Sequence, residues 1–326
     1  MMQKLFFVVV GVCVFGAAGI AQGQIDSFGV VGDSLTDEYQ FADNGDHSAG
    51  RNWLEQLATC KNMNFGAFSE ISRAYPQNQG YEYNWAKAGA TTGDLIAQGQ
   101  HTGLAGQISA GIVDLAVCWI GENDFTREDN IQAICEAPDD SVWQGKVIDA
   151  VNNLNYIVNY ILTSDPDINL VLVTIPEIEL NPHVRATLTD TTLRQRLSDA
   201  IASYNDQLKN DIAAGNSRIA VADVYQLSLN VLDLYNAGQN LVVGGYEVDL
   251  NKVGNTPDCI ILSDDIHPGT ITQGLMANVI VDAMNTFGAG VERMSEPQIL
   301  ANAGVPEPAT LCILACGGLL CLRRRI

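Results

Sequence analysis

Basic residues are scarce in this chain. Lysine and arginine number 17 against 38 aspartates and glutamates, a formal charge of −21 over 326 residues. Setting aside Lys4, Arg323, Arg324, Arg325 and Glu307 near the two ends, the central region stands near −24. A nucleic-acid partner needs a basic face for its phosphates, so that class is excluded. The acidity suits a protein working outside the cell and names no substrate. Histidine is scarcer still, at His47, His101, His183 and His267. Of eight cysteines, four lie near the ends (Cys13, Cys312, Cys316, Cys321), which leaves Cys60, Cys118, Cys135 and Cys259. No Cys-x-x-Cys pair or His/Cys cluster points to zinc. Charged residues are only 17% and hydrophobic ones 47%, which excludes wholesale disorder and allows a sizeable core. No internal repeat is present.

Each end of the chain has a character of its own. Residues 1–23 read as a signal peptide: Lys4 is the charged start, 5–20 the apolar stretch and Ala21-Gln22-Gly23 the small-residue cleavage site. The alternative is a membrane anchor, for which the apolar run is slightly short. Either way the body is exported, so disulfides are permitted. Cys135 and Cys259, in loop-like stretches, are the candidate pair, whereas Cys118 sits in an apolar strand as a buried thiol. At the other end, Val305-Pro306-Glu307-Pro308 precedes a short apolar run at 309–322 and Arg323-Arg324-Arg325, which would hold that end in the cytoplasm.

Between the ends, strands and helices alternate. Apolar runs predict strands at 25–31, 81–86, 112–120, 170–175, 219–221 and 260–262, with a hairpin within 241–250. Three- and four-residue spacing predicts helices at 52–60, 142–162, 188–214, 224–235 and 269–287, with a Gly-rich helix-like stretch at 94–111. Residues 125–140 and 176–188 read as surface loops. Asp43 to His47 is a polar loop whose carboxylates lack the full calcium-ligand pattern. Residues 292–304 read as a linker. The pattern is α/β: a three-layer sandwich with a mostly parallel sheet covered on both faces.

Chemistry collects at strand ends. Ser34, in Gly32-Asp33-Ser34-Leu35, directly follows the first strand, where open α/β sheets place their ligands. Taken alone, Gly-Asp-Ser is an ordinary turn. A serine nucleophile needs a base, and His267 is the best-placed histidine. Pro268 keeps it out of the α region and is suited to be the first residue of the following helix. Asp264 lies three residues earlier, a spacing that lets a tight turn bring its carboxylate to the imidazole Nδ1. Asp265 is the rival, with its side chain pointing elsewhere. For a developing oxyanion, Gly89 offers a backbone N–H, Asn123 a side-chain amide and Ser34 its own backbone N–H. Their plainer readings are turn glycine and helix-capping asparagine. No Gly-x-Ser-x-Gly elbow surrounds Ser34.

Taken in order, Gly32-Asp33-Ser34-Leu35, Gly89 within Asn84-x-Ala86-x-x-Gly89-Ala90-Thr91, Gly121-x-Asn123-Asp124 and Asp264-x-x-His267-Pro268 resemble the four blocks of the SGNH, or GDSL, hydrolases. The resemblance spans roughly residues 25–287 and no block departs from the pattern. It implies a flavodoxin-like fold and an esterase or lipase with no metal or cofactor. It further implies Ser34 as nucleophile, His267 as base, Asp264 as orienter, and Ser34, Gly89 and Asn123 as oxyanion donors. The tail resembles the PEP-CTERM sorting signal, which implies cleavage by an exosortase-type membrane transpeptidase and delivery to the cell surface or matrix, often with exopolysaccharide. The expected division is signal peptide 1–23, SGNH hydrolase domain 24–291, linker 292–304 and sorting segment 305–326. The expected activity is cleavage of short acyl esters, with O-acetyl groups on polysaccharide among the substrates. The alternatives are a lipase whose longer acyl pocket is shaped by the loops at 39–50, 125–140 and 176–188, and a catalytically idle polysaccharide-binding protein.

Overall fold

The computed structural model describes residues 24–38, 50–69 and 80–306. The signal-peptide stretch, the 43–47 loop with His47, and the apolar tail with its arginines lie outside the described residues. In chain order the strands are β1 (Phe28–Gly32), β2 (Phe68–Ser69), β3 (Gly80–Tyr81), β4 (Leu115–Trp119), β5 (Asn169–Val173), β6 (Ile219–Ala222), β7 (Leu241–Val243), β8 (Tyr246–Val253) and β9 (Cys259–Ile261). The helices are α1 (Trp53–Cys60), α2 (Thr92–Ala97), α3 (Gln100–Ser109), α4 (Asn123–Thr126), α5 (Glu128–Glu136), α6 (Ser141–Ser164), α7 (Pro182–Thr187), α8 (Thr191–Gln207), α9 (Val224–Asn236), α10 (Thr270–Asn285) and α11 (Glu296–Asn302). A π-helical segment, Leu208–Ala213, continues α8.

The central sheet runs β1-β4-β5-β6 and is parallel at every pairing. Every residue of β1, β4 and β5 is buried. Strands covered on both faces need unbroken apolar sequence, and Val-Val, Leu-Ala-Val-Cys-Trp and Leu-Val-Leu-Val supply it. One helical layer contains α3, α6 and α8; the other contains α1, α10 and α11, with α10 lying over β5 and β6. This is the expected three-layer α/β/α sandwich.

The strand expected at 81–86 is present in reduced form. Val30 donates to the Tyr83 carbonyl at 2.9 Å and accepts from Trp85 N at 2.9 Å, and Gly32 accepts from Lys87 N at 3.1 Å. Only Asn84 forms a ladder bridge, parallel to Val30. Counted as the second strand, this segment makes the spatial order 2-1-3-4-5, the flavodoxin-like winding whose strand ends gather a site at the switch point. The ladder stops short because Gly32 N, which would continue it, donates to Gln100 Oε1 at 3.0 Å. The Asn84 side chain turns inward, where Nδ2 donates to the Thr36 carbonyl at 2.9 Å and Oδ1 accepts from Ala86 N at 3.0 Å.

Several expectations are corrected. Residues 125–140 contain α4 and α5 rather than a loop, and Ile134 of α5 is wholly buried. Residues 292–304 are not a bare linker. Ser295 and Gln298 form a capping box, and α11 buries Ile299 and Leu300 against α10. Asn302 donates to Gln56 of α1 at 3.1 Å. The run before His267 is not a strand of the central sheet: β9 pairs with β8 in a separate small sheet. Nor does Pro268 open α10. It bridges antiparallel to Ile261, and Gly269 is the N-cap. Cys60, Cys118, Cys135 and Cys259 are all free, so Cys135 and Cys259 do not pair. Cys259 lies buried in β9 beside Thr256 Oγ1 at 3.1 Å, and Cys135 belongs to α5. Cys118 sits in β4, flanked by Val31 of β1 and Leu172 of β5.

Candidate active site

Ser34 follows Gly32 at the end of β1, in a single turn closed by Thr36 and Asp37 N–H groups donating to the Asp33 carbonyl at 3.1 and 2.9 Å. The Asp33 side chain caps it, accepting from Leu35 N at 3.0 Å. The Thr36 carbonyl accepts from Asn84 Nδ2 at 2.9 Å and from Asn52 Nδ2 at 3.0 Å. Asn52 is also the N-cap of α1. The turn is therefore pinned by two buried amides rather than by its own few bonds. Ser34 itself is half-buried.

The other expected residues converge on this turn. Asp37 Oδ2 accepts from Ala88 N at 2.8 Å, which holds the Gly89 turn beside it. Gly89 has φ +75°, a left-handed backbone that costs glycine little and a side-chain-bearing residue more. Asn123 Nδ2 donates to the Ala90 carbonyl at 3.1 Å, which draws the end of β4 to the same place. An amide carries two donor hydrogens, so this bond commits one of them. Asp124 anchors the other side of that turn, accepting from Thr92 N at 2.8 Å and Thr92 Oγ1 at 2.7 Å. Gly121, at φ +125°, is a close-approach glycine, since a Cβ there would lie 2.6 Å from the Tyr204 ring. The Tyr204 hydroxyl in turn donates to the Ile120 carbonyl at 2.9 Å.

The Asp264–His267 turn is tight. Leu262 N donates to the His267 carbonyl at 2.7 Å. Asp264 Oδ1 accepts from Ile266 N and His267 N, both at 3.0 Å, and Oδ2 lies 2.6 Å from His267 Nδ1. Burial pushes the Asp264 carboxyl up, but the hydrogen bonds and charge of His267 and the two backbone N–H groups outweigh it. The carboxyl ends below its ordinary value and stays ionised. Asp265, the rival, occupies φ +65°, and its carboxylate faces His183 Nδ1 at 3.7 Å. His101 stacks edge-on to Tyr160.

Composition did not reveal the carboxyl groups packed around the site. Asp33 is fully buried, and burial, then Glu122 and Asp124, raise it well above the carboxylate range. Burial likewise lifts Glu122 to about 7, against the opposing pull of His267. The same cause takes Asp37 to about 6, opposed by the Ala88 and Glu38 N–H groups and by His267. Glu122 follows β4 after Ile120 and Gly121, a position that does not by itself reveal its burial. Between these turns and α10 lies a cavity of about 40 Å³ whose walls include Leu35, Glu122, Ile266, Pro268, Thr272 and Met276. Leu35 adjoins Ser34, and Ile266 and Pro268 flank His267, so one cavity joins the serine turn to the histidine turn. Among the described residues, no group of three or more His, Cys, Asp or Glu side chains is arranged to hold a metal ion.

The GDSL-like Lipase/Acylhydrolase family model matches residues 28–280, most of the chain and all four turns. The chain belongs to this family. As a GDSL hydrolase it is placed among enzymes that cleave carboxylic esters. Solved structures similar in fold include the lipase Lip_vut3 from goat rumen metagenome, at 14% identity and TM-score 0.48, covering 81% of this chain and 97% of that one. A family 3 carbohydrate esterase of Clostridium thermocellum matches at 14% identity and TM-score 0.41, covering 82% and 100%. Phospholipase A1 of Streptomyces albidoflavus NA297 matches at 14% and 0.45, covering 79% and 98%. No curated relative matches the sequence.

Proposed function

We propose that this GDSL hydrolase is an exported serine esterase that works through an acyl-enzyme. Ser34 Oγ attacks the ester carbonyl and passes its proton to His267 Nε2, which hands it to the departing alcohol. Water, deprotonated by the same nitrogen, then releases the acid. Asp264 holds the imidazole with Nδ1–H toward itself and stabilises the imidazolium. The Ser34 and Gly89 N–H groups and the second Asn123 amide hydrogen meet the oxyanion, where losing one donor costs about 3 kcal/mol of transition-state stabilisation. The observation that carries this reading is the 2.6 Å Asp264–His267 contact in a turn sharing a cavity with the serine turn.

The substrates are short acyl esters, O-acetyl groups on polysaccharide among them. Among the described residues, the small cavity supports this over a lipase with a deep acyl channel. The terminal segments support export and sorting: a signal peptide, then a PEP-CTERM-like tail processed by an exosortase-type transpeptidase at the membrane.

The test is hydrolysis of p-nitrophenyl acetate by wild type, Ser34→Ala and Asp264→Asn. Turnover should vanish in Ser34→Ala and fall by about 10²- to 10⁴-fold in Asp264→Asn. Equal rates in wild type and Ser34→Ala would remove the serine from the mechanism. A folded but silent wild type would favour the binding-protein alternative.

A further inference from the structure

We infer that the cavity beside Ser34 is a subsite for a short acyl group that carries a hydroxyl, so that hydroxyacyl esters are preferred over plain acyl esters of the same size. The inference rests on the esterase reading above and refines its substrate class.

Size comes first. At about 40 Å³ the cavity has room for roughly three water-sized groups, which suits an acyl chain of a few atoms. Its position follows from its walls, which are the residues next to Ser34, Asn123 and His267. Ser34, Asn123 and His267 do not themselves line it; the chain of an acyl group on Ser34 would reach this cavity through the neighbouring Leu35.

The polar atoms of the lining then set the chemistry. Four polar side chains border the cavity: Glu122, Glu177, Asn181 and Thr272. Two are satisfied within the protein. Glu177 accepts from Ser198 Oγ at 2.6 Å, from Glu179 N at 3.2 Å and from the Tyr225 hydroxyl at 3.3 Å. Asn181 accepts from His183 N at 2.8 Å and donates to the Asp265 carbonyl at 2.9 Å. The other two are not. Glu122 is partly exposed as a residue, but its Oε2 is shut off from solvent and has no hydrogen-bond partner. Thr272, in the first turn of α10 and 7% exposed, has a buried Oγ1 that also lacks one. The remaining wall is apolar, with Leu35, Ile266 and Met276.

Both oxygens are already shut off from water, and a hydrocarbon acyl chain would leave them unpaired, which is unfavourable relative to a group that pairs them. A hydroxyl is a donor and an acceptor at once. It can donate to Glu122 Oε2 and accept from Thr272 O–H, and the apolar wall takes the carbon atoms. A site built to bond a hydroxyl discriminates against the analogue lacking it, because its own buried groups are otherwise left unpaired.

The experiment uses isosteric p-nitrophenyl esters on the full chain: glycolyl against propionyl, and lactyl against isobutyryl. Each kcat/KM is divided by the ester's spontaneous hydroxide-catalysed rate to remove intrinsic reactivity. The wild type should favour the hydroxyacyl member by at least about tenfold. The ratio should fall towards one in Thr272→Val and recover in Thr272→Ser. A wild-type ratio near one, or a ratio unchanged in Thr272→Val, overturns the subsite. The esterase reading would then still stand, provided turnover depends on Ser34. If no ester is turned over, both readings fall. Should Thr272→Val fail to fold, the wild-type ratio decides alone.

Discussion

Asp33, Asp37, Glu38, Glu122 and Asp124 are single residues whose protons the fold holds more tightly than water does. Burial is the leading cause at each; Glu38 and Glu122 reach about 7, Asp37 and Asp124 about 6, and Asp33 rises well above its ordinary value. The unfolded chain loses these protons near the ordinary carboxylate range. Between about pH 4.5 and 7 the native state therefore binds more protons than the unfolded state, and stability falls as pH rises across that window. Urea unfolding at pH 5 and pH 8 should show the lower midpoint at pH 8. Asp33→Asn should flatten that slope, whatever it does to absolute stability; an unchanged slope would mean that Asp33 is ionised in the fold. This is also the scale at which the sequence was most and least legible. Ser34, Gly89, Asn123, Asp264 and His267 could be named because each lies at a strand end or turn in a recognisable order. Glu122 and Thr272 could not, because their significance lies in who fails to touch them, and that is a property of packing.

At the scale of elements, period and length decided what could be read. The unbroken apolar runs of β1, β4 and β5 and the stepped spacing of α6 identify themselves. The 81–86 run also reads as a strand, but only Asn84 forms a ladder bridge, since Gly32 N bonds Gln100 Oε1 rather than continuing the ladder. Side-chain competition of that kind leaves no trace in hydrophobic period. The short α11 was missed because polar residues and Pro297 resemble a linker, although Ser295 and Gln298 at capping-box spacing and Pro297 in the first turn mark a helix start. Its burial is substantial, so Ile299→Ala should destabilise the protein by about 3 kcal/mol, read from urea unfolding. A loss below about 0.5 kcal/mol, a surface-like effect, would show that α11 is an appendage.

At the scale of the whole molecule, the winding of the sheet determines what meets what. The turns of Ser34, Gly89 and Asn123 share one rim because parallel strands end on the same side, whereas the Asp264–His267 turn, 230 positions after Ser34, is delivered by β9 of the separate small sheet. Alternation of strands and helices made this layout readable before any coordinates. The cysteines were not readable in the same way. The expectation of export left disulfides open, and only the placement of Cys135 on a helix and Cys259 inside a strand shows them apart.

Cys118 follows from the same layout. It is 2% exposed at the centre of the sheet, and burial, aided by Asp33, pushes its thiol well above the ordinary range. Reagents attack thiolate, so this sulfur is doubly protected. It can react only when the sheet itself comes apart, whereas Cys60 and Cys135, both partly exposed, need no such event. In a mass-resolved alkylation time course, those two should label early and Cys118 last, at a rate that tracks global opening. Early labelling of Cys118 would mean that the sheet frays locally. The strand that carries Asn123 towards the site thus also carries a built-in clock, a single sulfur whose chemistry reports how often the entire molecule lets go.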